Sequence, residues 1–208
     1  MKNKTLFSWL VNPFTHIAGA KALYIGLCIQ LVTVFFCNTS GVHFNSVMGA
    51  HIGETVTLVP VDSDTMRVQV GEEVTLLQDL FIWGISIGLL IMMLYISGLI
   101  LTKGFRIIDL IGTVLMARAP LLIIAIIALF IEIPSVETIM ADSSATSLGL
   151  SLYIFAALLF IIFIWSIVLL YNAYRVSVGL SVNKAIISFI VAIVIAQIGS
   201  QQLIACLV

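Results

Sequence analysis

Five long apolar segments separated by polar stretches dominate the hydrophobic pattern of the 208-residue chain. A helix needs about 20 mostly apolar residues to cross the hydrocarbon core of a membrane, where backbone polar groups have no water to bond. The five segments meet this length and run over about 17–36, 80–101, 110–131, 148–170 and 185–207. The pattern therefore predicts an all-α integral membrane protein, a five-transmembrane-helix bundle forming a single domain over 1–208.

The longest polar stretch, 38–79, separates the first two spans. Two runs rich in β-branched residues, 54–59 and 65–70, flank a segment with turn chemistry at 60–64, which predicts a small β-hairpin-like loop. An isolated hairpin is only marginally stable, so we expect it to rest on the helices or on a partner. The connection 103–109 is short, which predicts that spans two and three are antiparallel neighbours, with Asp109 capping the third span.

Basic side chains collect on one side of the predicted spans. The N-terminus and the connections after spans two and four hold Lys2, Lys4, Lys21, Lys103, Arg106, Arg175 and Lys184, whereas Arg67 lies on the other side. That other side holds Glu54, Asp62, Asp64, Glu72, Glu73, Asp79, Glu132, Glu137 and Asp142, and only Asp109 is acidic on the first. Because basic loops stay in the cytoplasm, the distribution predicts an N-in/C-out topology.

The composition excludes a soluble protein and gives no support to a nucleic-acid-binding one. Hydrophobic residues make up 62% of the chain and charged residues 9%, whereas a soluble domain carries about a quarter charged residues. The sequence also has no basic patch of the kind that neutralises nucleic-acid phosphates. The lipid bilayer is therefore the expected surrounding, and no nucleic-acid partner is expected.

The first residues allow two interpretations. Lys2 and Lys4 precede a short apolar run, and 18–20 resembles a signal-peptide cleavage site, but the run ends at Asn12-Pro13. An interfacial amphipathic helix is the more economical interpretation, with Leu6, Trp9, Leu10 and Phe14 facing lipid acyl chains and the lysines near anionic headgroups.

Arg118 is the first candidate functional residue, because an ionised side chain inside a membrane is costly and marks a functional hypothesis. It lies about 12 Å from the cytoplasmic end of its span and could instead extend to the interface. Pro120 follows closely and cannot donate to the carbonyl of Met116, which predicts a free acceptor and a kink. Arg118 and Pro120 are therefore a candidate intramembrane polar site for an anion or a lipid headgroup. The alternative is that Arg118 is an interfacial or structurally paired arginine.

Span five adds polar and small residues at helical spacing. Gln197 and Gln201 share a face and could bond across helices or line a polar seam. Small residues recur every four positions in three spans and predict close helix packing or a homo-oligomer. They are Ser188, Ala192, Ala196 and Ser200 in span five, Gly84 and Gly88 in span two, and Ala18, Ala22 and Gly26 in span one.

The sequence lacks the common motifs of enzymes and of metal sites. Zinc-protease, nucleophile-elbow and phosphate-loop motifs are not found, so neither catalysis nor a cofactor is expected. His43, His51 and Glu54 match no standard metal-ligand spacing, so no metal is expected. Asn38-Thr-Ser40 fits a glycosylation sequon. Cys37 and Cys206 fall near the same outer face of the predicted bundle. The sequence therefore leaves two alternatives, a disulfide between them or two isolated thiols.

Three segments resemble the Yip family, five-span proteins named for interaction with Ypt/Rab GTPases. They are Asn12-Pro13-Phe14, the run from Phe105-Arg-Ile-Ile-Asp109 into Met116-Ala-Arg118-Ala-Pro120, and 165–184. The resemblance is to a bacterial-type member and implies an N-in/C-out bundle that oligomerises, in a bacterial cytoplasmic (inner) membrane. The long cytosolic N-terminal region of the eukaryotic members is not present before span one, so binding to a Rab GTPase is not carried over.

Two functional hypotheses follow. The first is a non-catalytic Yip-type membrane protein that acts by helix packing, oligomerisation and contacts with lipid or a membrane-protein partner, in membrane organisation or trafficking. The alternative is a small transporter or channel in which Arg118 and Gln197 form the polar constriction, at similar depth if spans three and five pack together.

Overall fold

A computed structural model describes residues 12–15, 17, 19–43, 51–52, 56–62, 65–70, 75–102, 104–130 and 150–207. A short 3-10 helix, Pro13–Thr15, precedes the first long helix. The helices are α1 (Ala20–Ser40), α2 (Leu76–Leu101), α3 (Ile107–Ala117), α4 (Pro120–Ala128), α5 (Leu150–Val178) and α6 (Val182–Leu207). In this part of the chain, five helical segments are long and apolar enough to cross a membrane, with α3 and α4 together forming the third.

Local backbone chemistry determines where several helices begin and end. Gly19 and Gly41, both with φ of 69°, bracket α1, and the Gly41 N–H bonds to the carbonyl of Cys37. A left-handed φ is open to glycine at little steric cost, so these two positions define the ends of the helix. At the start of α2, the Thr75 hydroxyl and the Gln78 side chain form a reciprocal capping box.

Several predicted boundaries differ from the structure by three residues or more, and the ends of α5 and α3 show why. Helix α5 continues to Val178, past the predicted end at 170, because Asn172 and Arg175 lengthen the helix without adding to its apolar stretch. Helix α3 begins at Ile107 with Arg106 as its N-cap, so the expectation that Asp109 caps this helix is wrong. Asp109 instead lies in the first turn, where a carboxylate interacts favourably with the helix dipole.

Two pairs of short antiparallel strands lie between α1 and α2. Strand β1 (Val42–His43) pairs with β2 (His51–Ile52), and β3 (Val56–Asp62) pairs with β4 (Thr65–Val70). In the longer pair Val56 is opposite Val70, and the register is irregular between Pro60 and Asp62. Proline has no backbone N–H to donate to a ladder, which fits its position beside this irregularity.

The helices pack as two main pairs joined by α5. Helix α1 packs most extensively on α3 and also on α4, α6 packs on α2, and α5 contacts α3, α4 and α6. Helices α2 and α3 also touch, as the short connection predicted, although α1 is the main neighbour of α3. The largest buried cluster among the described residues joins α2, α3, α5 and α6 and includes Leu90, Leu94, Val114, Tyr174 and Phe189.

Helices α1 and α3 come together at two glycines. A Cβ added to Gly112 would lie 2.6 Å from the backbone nitrogen of Leu23, and one added to Gly26 would lie 2.7 Å from the Cβ of Leu115. Such distances leave no room for a side chain, so the two backbones approach as closely as small residues allow in membrane helices. Ala22, in the small-residue stripe predicted for span one, is fully buried at this crossing.

Candidate functional site

Arg118 lies at a break in the third span. Helix α3 ends at Ala117, α4 begins at Pro120, and Arg118 and Ala119 form a turn between them. The side chain is buried, with 4% of the residue exposed. The interruption falls where Pro120 predicts it, because proline cannot donate the hydrogen bond that a continuous helix requires.

Backbone hydrogen bonds shift by one residue at the break. The N–H of Ala119 donates to the carbonyl of Met116 at 3.0 Å, and that of Leu121 donates to Arg118 at 3.0 Å. This 3-10 pattern occupies the Met116 carbonyl, so the expectation that Met116 would be the free acceptor is wrong. The carbonyl of Ala117 loses its helical donor instead, and that of Leu115 keeps only a long hydrogen bond from the N–H of Arg118, at 3.4 Å.

Side chains of neighbouring helices bond to these two carbonyls. Gln30 Nε2 on α1 donates to the carbonyl of Leu115 at 2.8 Å. Ser166 Oγ on α5 donates to the carbonyl of Ala117 at 3.2 Å. Because no water is available in lipid, such donors are the means of satisfying backbone groups at a broken membrane helix. The break is therefore held between α1 and α5.

Two polar atoms near the break have no hydrogen-bond partner among the described residues. They are Arg118 Nη1 and Gln30 Oε1, and both are buried. Within the described part of the chain no carboxylate forms an ion pair with Arg118, since the one pair there joins His43 to Asp79. Burying an unpaired polar group costs about 1–3 kcal/mol, and more for a charged one. The guanidinium is therefore an energetically expensive feature of the fold.

A cavity of ≈ 20 Å³ lies against Arg118, bounded by Leu90, Leu121, Phe163 and Ser166 among others. Its volume corresponds to about one water molecule. Most of its walls are apolar, and the Ser166 hydroxyl already donates to Ala117. The site can hold a very small polar ligand beside the guanidinium, and it is too small for an organic substrate.

Gln197 and Gln201 belong to a different part of the bundle. Gln197 is half-buried and Gln201 is exposed, on a helix whose main neighbours are α2 and α5. Arg118 lies where α3 meets α4, whose main neighbours are α1 and α5. Spans three and five are therefore not principal packing partners, and the transporter hypothesis loses the geometry on which it depended. Transport itself stays an untested hypothesis.

The predicted small-residue stripes divide into two kinds. On α6, Ala192, Ala196 and Ser200 are buried and Ser188 is half-buried, on the helix that packs against α2. On α2, Gly84 and Gly88 are exposed, and an added Cβ at either would meet nothing within 4 Å. The α6 stripe therefore lies within the fold, and the α2 pair faces outward.

A second polar cluster, not expected from the sequence, joins the end of α1 to the start of α2. Asp79 accepts hydrogen bonds from Asn38 Nδ2 at 2.9 Å and from His43 Nδ1 at 2.8 Å. Asp79 and His43 are 8% and 7% exposed. His43 therefore bonds to the carboxylate of Asp79, and the side chains of His51 and Glu54, considered with it as metal ligands, lie outside the described residues.

Cys37 is buried, Cys28 and Cys206 are exposed, and all three are free thiols. The described residues include no group of three or more His, Cys, Asp or Glu side chains that could hold a metal ion.

Of the residues expected to face lipid in an N-terminal amphipathic helix, Leu6, Trp9 and Leu10 lie outside the described residues. The expectation for Phe14 is wrong, because this side chain is buried in the core, with 2% exposed. Ala18, of the signal-like site and the span-one stripe, is also outside the described residues.

The fold and these sites define a multi-pass integral membrane protein, since five segments are long and apolar enough to span a bilayer. Comparison with protein-family models, curated proteins and solved structures finds no match to the chain.

Proposed function

We propose that this chain is a non-catalytic membrane protein of Yip type that acts by associating, through the outward face of α2, with a second copy of itself. The observation that carries the proposal is the exposed pair Gly84 and Gly88, which has open space on the outer side of the helix. A pair of glycines four residues apart is the packing face of many membrane-helix dimers, because it lets two backbones approach closely.

The surroundings of the two glycines support this use. Leu77, Phe81 and Met92 continue the same face of α2 above and below them and are 78%, 56% and 44% exposed. A helix laid along this face would fit its side chains into the notch at the glycines and contact the larger side chains on either side. In lipid such contacts favour association because the gain comes from van der Waals packing rather than from leaving water.

The proposed orientation places the N-terminus in the cytoplasm and the C-terminus outside, in the inner membrane of a bacterium. Support comes from Lys21, Arg106, Arg175 and Lys184, which lie near helix ends that five alternating spans bring to one side. In this orientation the segment 38–79, with its hairpin of β3 and β4, is extracytoplasmic. The likeness to the Yip family supports the same topology and a role in membrane organisation through lipid and protein contacts.

Association can be measured on the full chain in nanodiscs or by cross-linking in membranes. We expect the wild type to dimerise and the double variant Gly84→Leu/Gly88→Leu to be monomeric. Both positions have room for the larger side chain, so the variant should fold as the wild type does. The matched control is Ala156→Leu/Ala157→Leu, at exposed positions of α5, which should remain dimeric. A monomeric wild type, or a glycine variant that dimerises equally well, would contradict the proposal.

The orientation has a separate test in the native cysteines. Cys206 is exposed near the C-terminal end of α6, whereas Cys37 is buried. In intact cells, a membrane-impermeant maleimide should label the wild type and should fail to label Cys206→Ser. Labelling of Cys206 only after the inner face is opened would reverse the proposed orientation without bearing on association.

A further inference from the structure

An open groove runs between α2 and α6 at the end of the bundle where α2 finishes and α6 begins. Its volume is ≈ 420 Å³, within the range of about 300–1,000 Å³ typical of ligand pockets. The walls are almost entirely apolar and include Ile96 and Ile100 of α2 and Ile187 and Val191 of α6. Their exposed fractions of 44%, 78%, 67% and 52% show that the groove opens onto the outer surface of the helices.

Polar groups are found at one end of this groove. Lys184, the third residue of α6, is exposed and lines it. One turn further on, Ser188 lines it as well, and its hydroxyl bonds to Tyr174 at 3.0 Å. Tyr174 in turn bonds to Ser97 at 3.1 Å. The groove therefore has apolar walls and a lysine at one end. Hydrogen bonds among the hydroxyls of Ser97, Tyr174 and Ser188 connect α2, α5 and α6 beside it.

The length of the groove corresponds to one leaflet. From Lys184 to Ala192 is eight residues, or about 12 Å of helix, close to half of a hydrocarbon core of about 30 Å. A chain that entered beside Lys184 would thus reach toward the membrane centre without crossing it. An amphiphile with an anionic head and an apolar tail matches both the charge at the mouth and the walls below it.

We propose that the groove is a binding site for an anionic phospholipid, with the phosphate at Lys184 and one acyl chain against Ile187 and Val191. A single basic residue near an anionic surface favours binding by about fivefold. The aliphatic stem of Lys184 can lie along the groove while its ammonium group remains at headgroup level. The site is separate from Gly84 and Gly88, which precede its first α2 residue, Met93, by nine and five positions, and the inference does not depend on association through them.

The test measures lipid retained by the full chain after extraction from nanodiscs of phosphatidylcholine with phosphatidylglycerol, counted by native mass spectrometry. Lys184→Gln should lower the retained ratio of phosphatidylglycerol to phosphatidylcholine about fivefold. The control Lys21→Gln removes an exposed lysine at the start of α1 and should change the ratio less than twofold. Equal effects of the two variants would overturn the proposal.

A second pair of variants tests the groove itself. Val191→Trp fills it, whereas Val194→Trp adds the same bulk at a similarly exposed position of α6 that does not line it. We expect Val191→Trp to abolish retention of both lipids and Val194→Trp to leave retention unchanged. If Val191→Trp prevents dimerisation and leaves lipid retention intact, the occupant is a second copy and the lipid proposal is wrong. Gly84→Leu/Gly88→Leu should retain lipid as the wild type does, which keeps the two proposals separable.

Discussion

The side-chain amide of Gln30 donates to the backbone carbonyl of Leu115 at 2.8 Å, across 85 positions of sequence and between two membrane-spanning helices. The carbonyl is one that the helix break before Pro120 deprives of its usual donor. The bond therefore does more than join α1 to α3, because it adds a second, shorter hydrogen bond to a carbonyl whose remaining backbone donor, the N–H of Arg118, is 3.4 Å away.

The hydrogen bond from Ser166 to Ala117 should depend on Pro120. In the wild type, Ser166→Ala removes a donor to a carbonyl with no helical partner, at a cost of about 0.6 kcal/mol, and about 1.7 kcal/mol at most. In a Pro120→Ala background the helix can close and the N–H of Leu121 can return to Ala117, so the same change should cost less. A double-mutant cycle of unfolding free energies in mixed micelles measures the difference. Equal costs in the two backgrounds would mean that Pro120 does not determine the break.

The crossing of α1 and α3 should tolerate no added side chain at Gly112. Its Cβ would meet the backbone of Leu23, which cannot rotate away, so we expect Gly112→Ala to destabilise the fold by about 1–3 kcal/mol. Gly88→Ala is the control, since its Cβ would enter open space and should change the unfolding free energy of the monomer little. A stable Gly112→Ala protein would show that the two helices lie farther apart than this contact indicates.

Replacing Arg118 by methionine should increase stability. The substitution removes a buried donor that has no partner among the described residues and keeps much of the volume. We expect a gain of about 1 kcal/mol or more in unfolding free energy. The exposed Arg106→Met is the control, expected to change it by less than about 0.5 kcal/mol. A loss of stability in Arg118→Met would instead reveal a partner for the guanidinium, either a ligand or a segment outside the described residues.

In the polar cluster of Asn38, His43 and Asp79, substitution of Asp79 should lower the unfolding free energy most. Asp79→Ala removes the charged acceptor of the hydrogen bonds from buried His43 and half-buried Asn38, so we expect a loss of about 3 kcal/mol. The neighbouring Gln78→Ala removes the exposed half of the capping box in which the Thr75 N–H donates to Gln78 Oε1, and it should cost about 1 kcal/mol. Thermal unfolding of the two variants in the same detergent gives the comparison. Similar losses would indicate that the cluster is open to water.

The sequence was informative wherever a single segment decides the structure. Length and apolarity locate the five spans, because each helix in lipid must satisfy its own backbone. Pro120 locates the break in the third span for the same local reason. The start of α2 was placed four residues too late, at 80, although Thr75 and Gln78 have the spacing of a capping box that would have located it.

Relationships between segments were harder to foresee. No local pattern indicates that Gln30 reaches Leu115 or that α1 packs chiefly on α3, because helix pairing depends on the fit of all the surfaces together. The same limit applies to the small residues, whose spacing predicts close contact but not the side on which it occurs. The stripe on α6 is inside the fold, whereas Gly84 and Gly88 face outward.

The 29 residues of α5 give it a length of about 43 Å, whereas the hydrocarbon core is about 30 Å thick. The surplus requires the helix either to tilt or to extend into the headgroup layer. Arg175 lies three residues from its end, so a thinner bilayer would leave this guanidinium farther out in water, and a thicker one would draw it toward the phosphates. The inclination of α5 therefore depends on the thickness of the host membrane, and lipids of different chain length should change it.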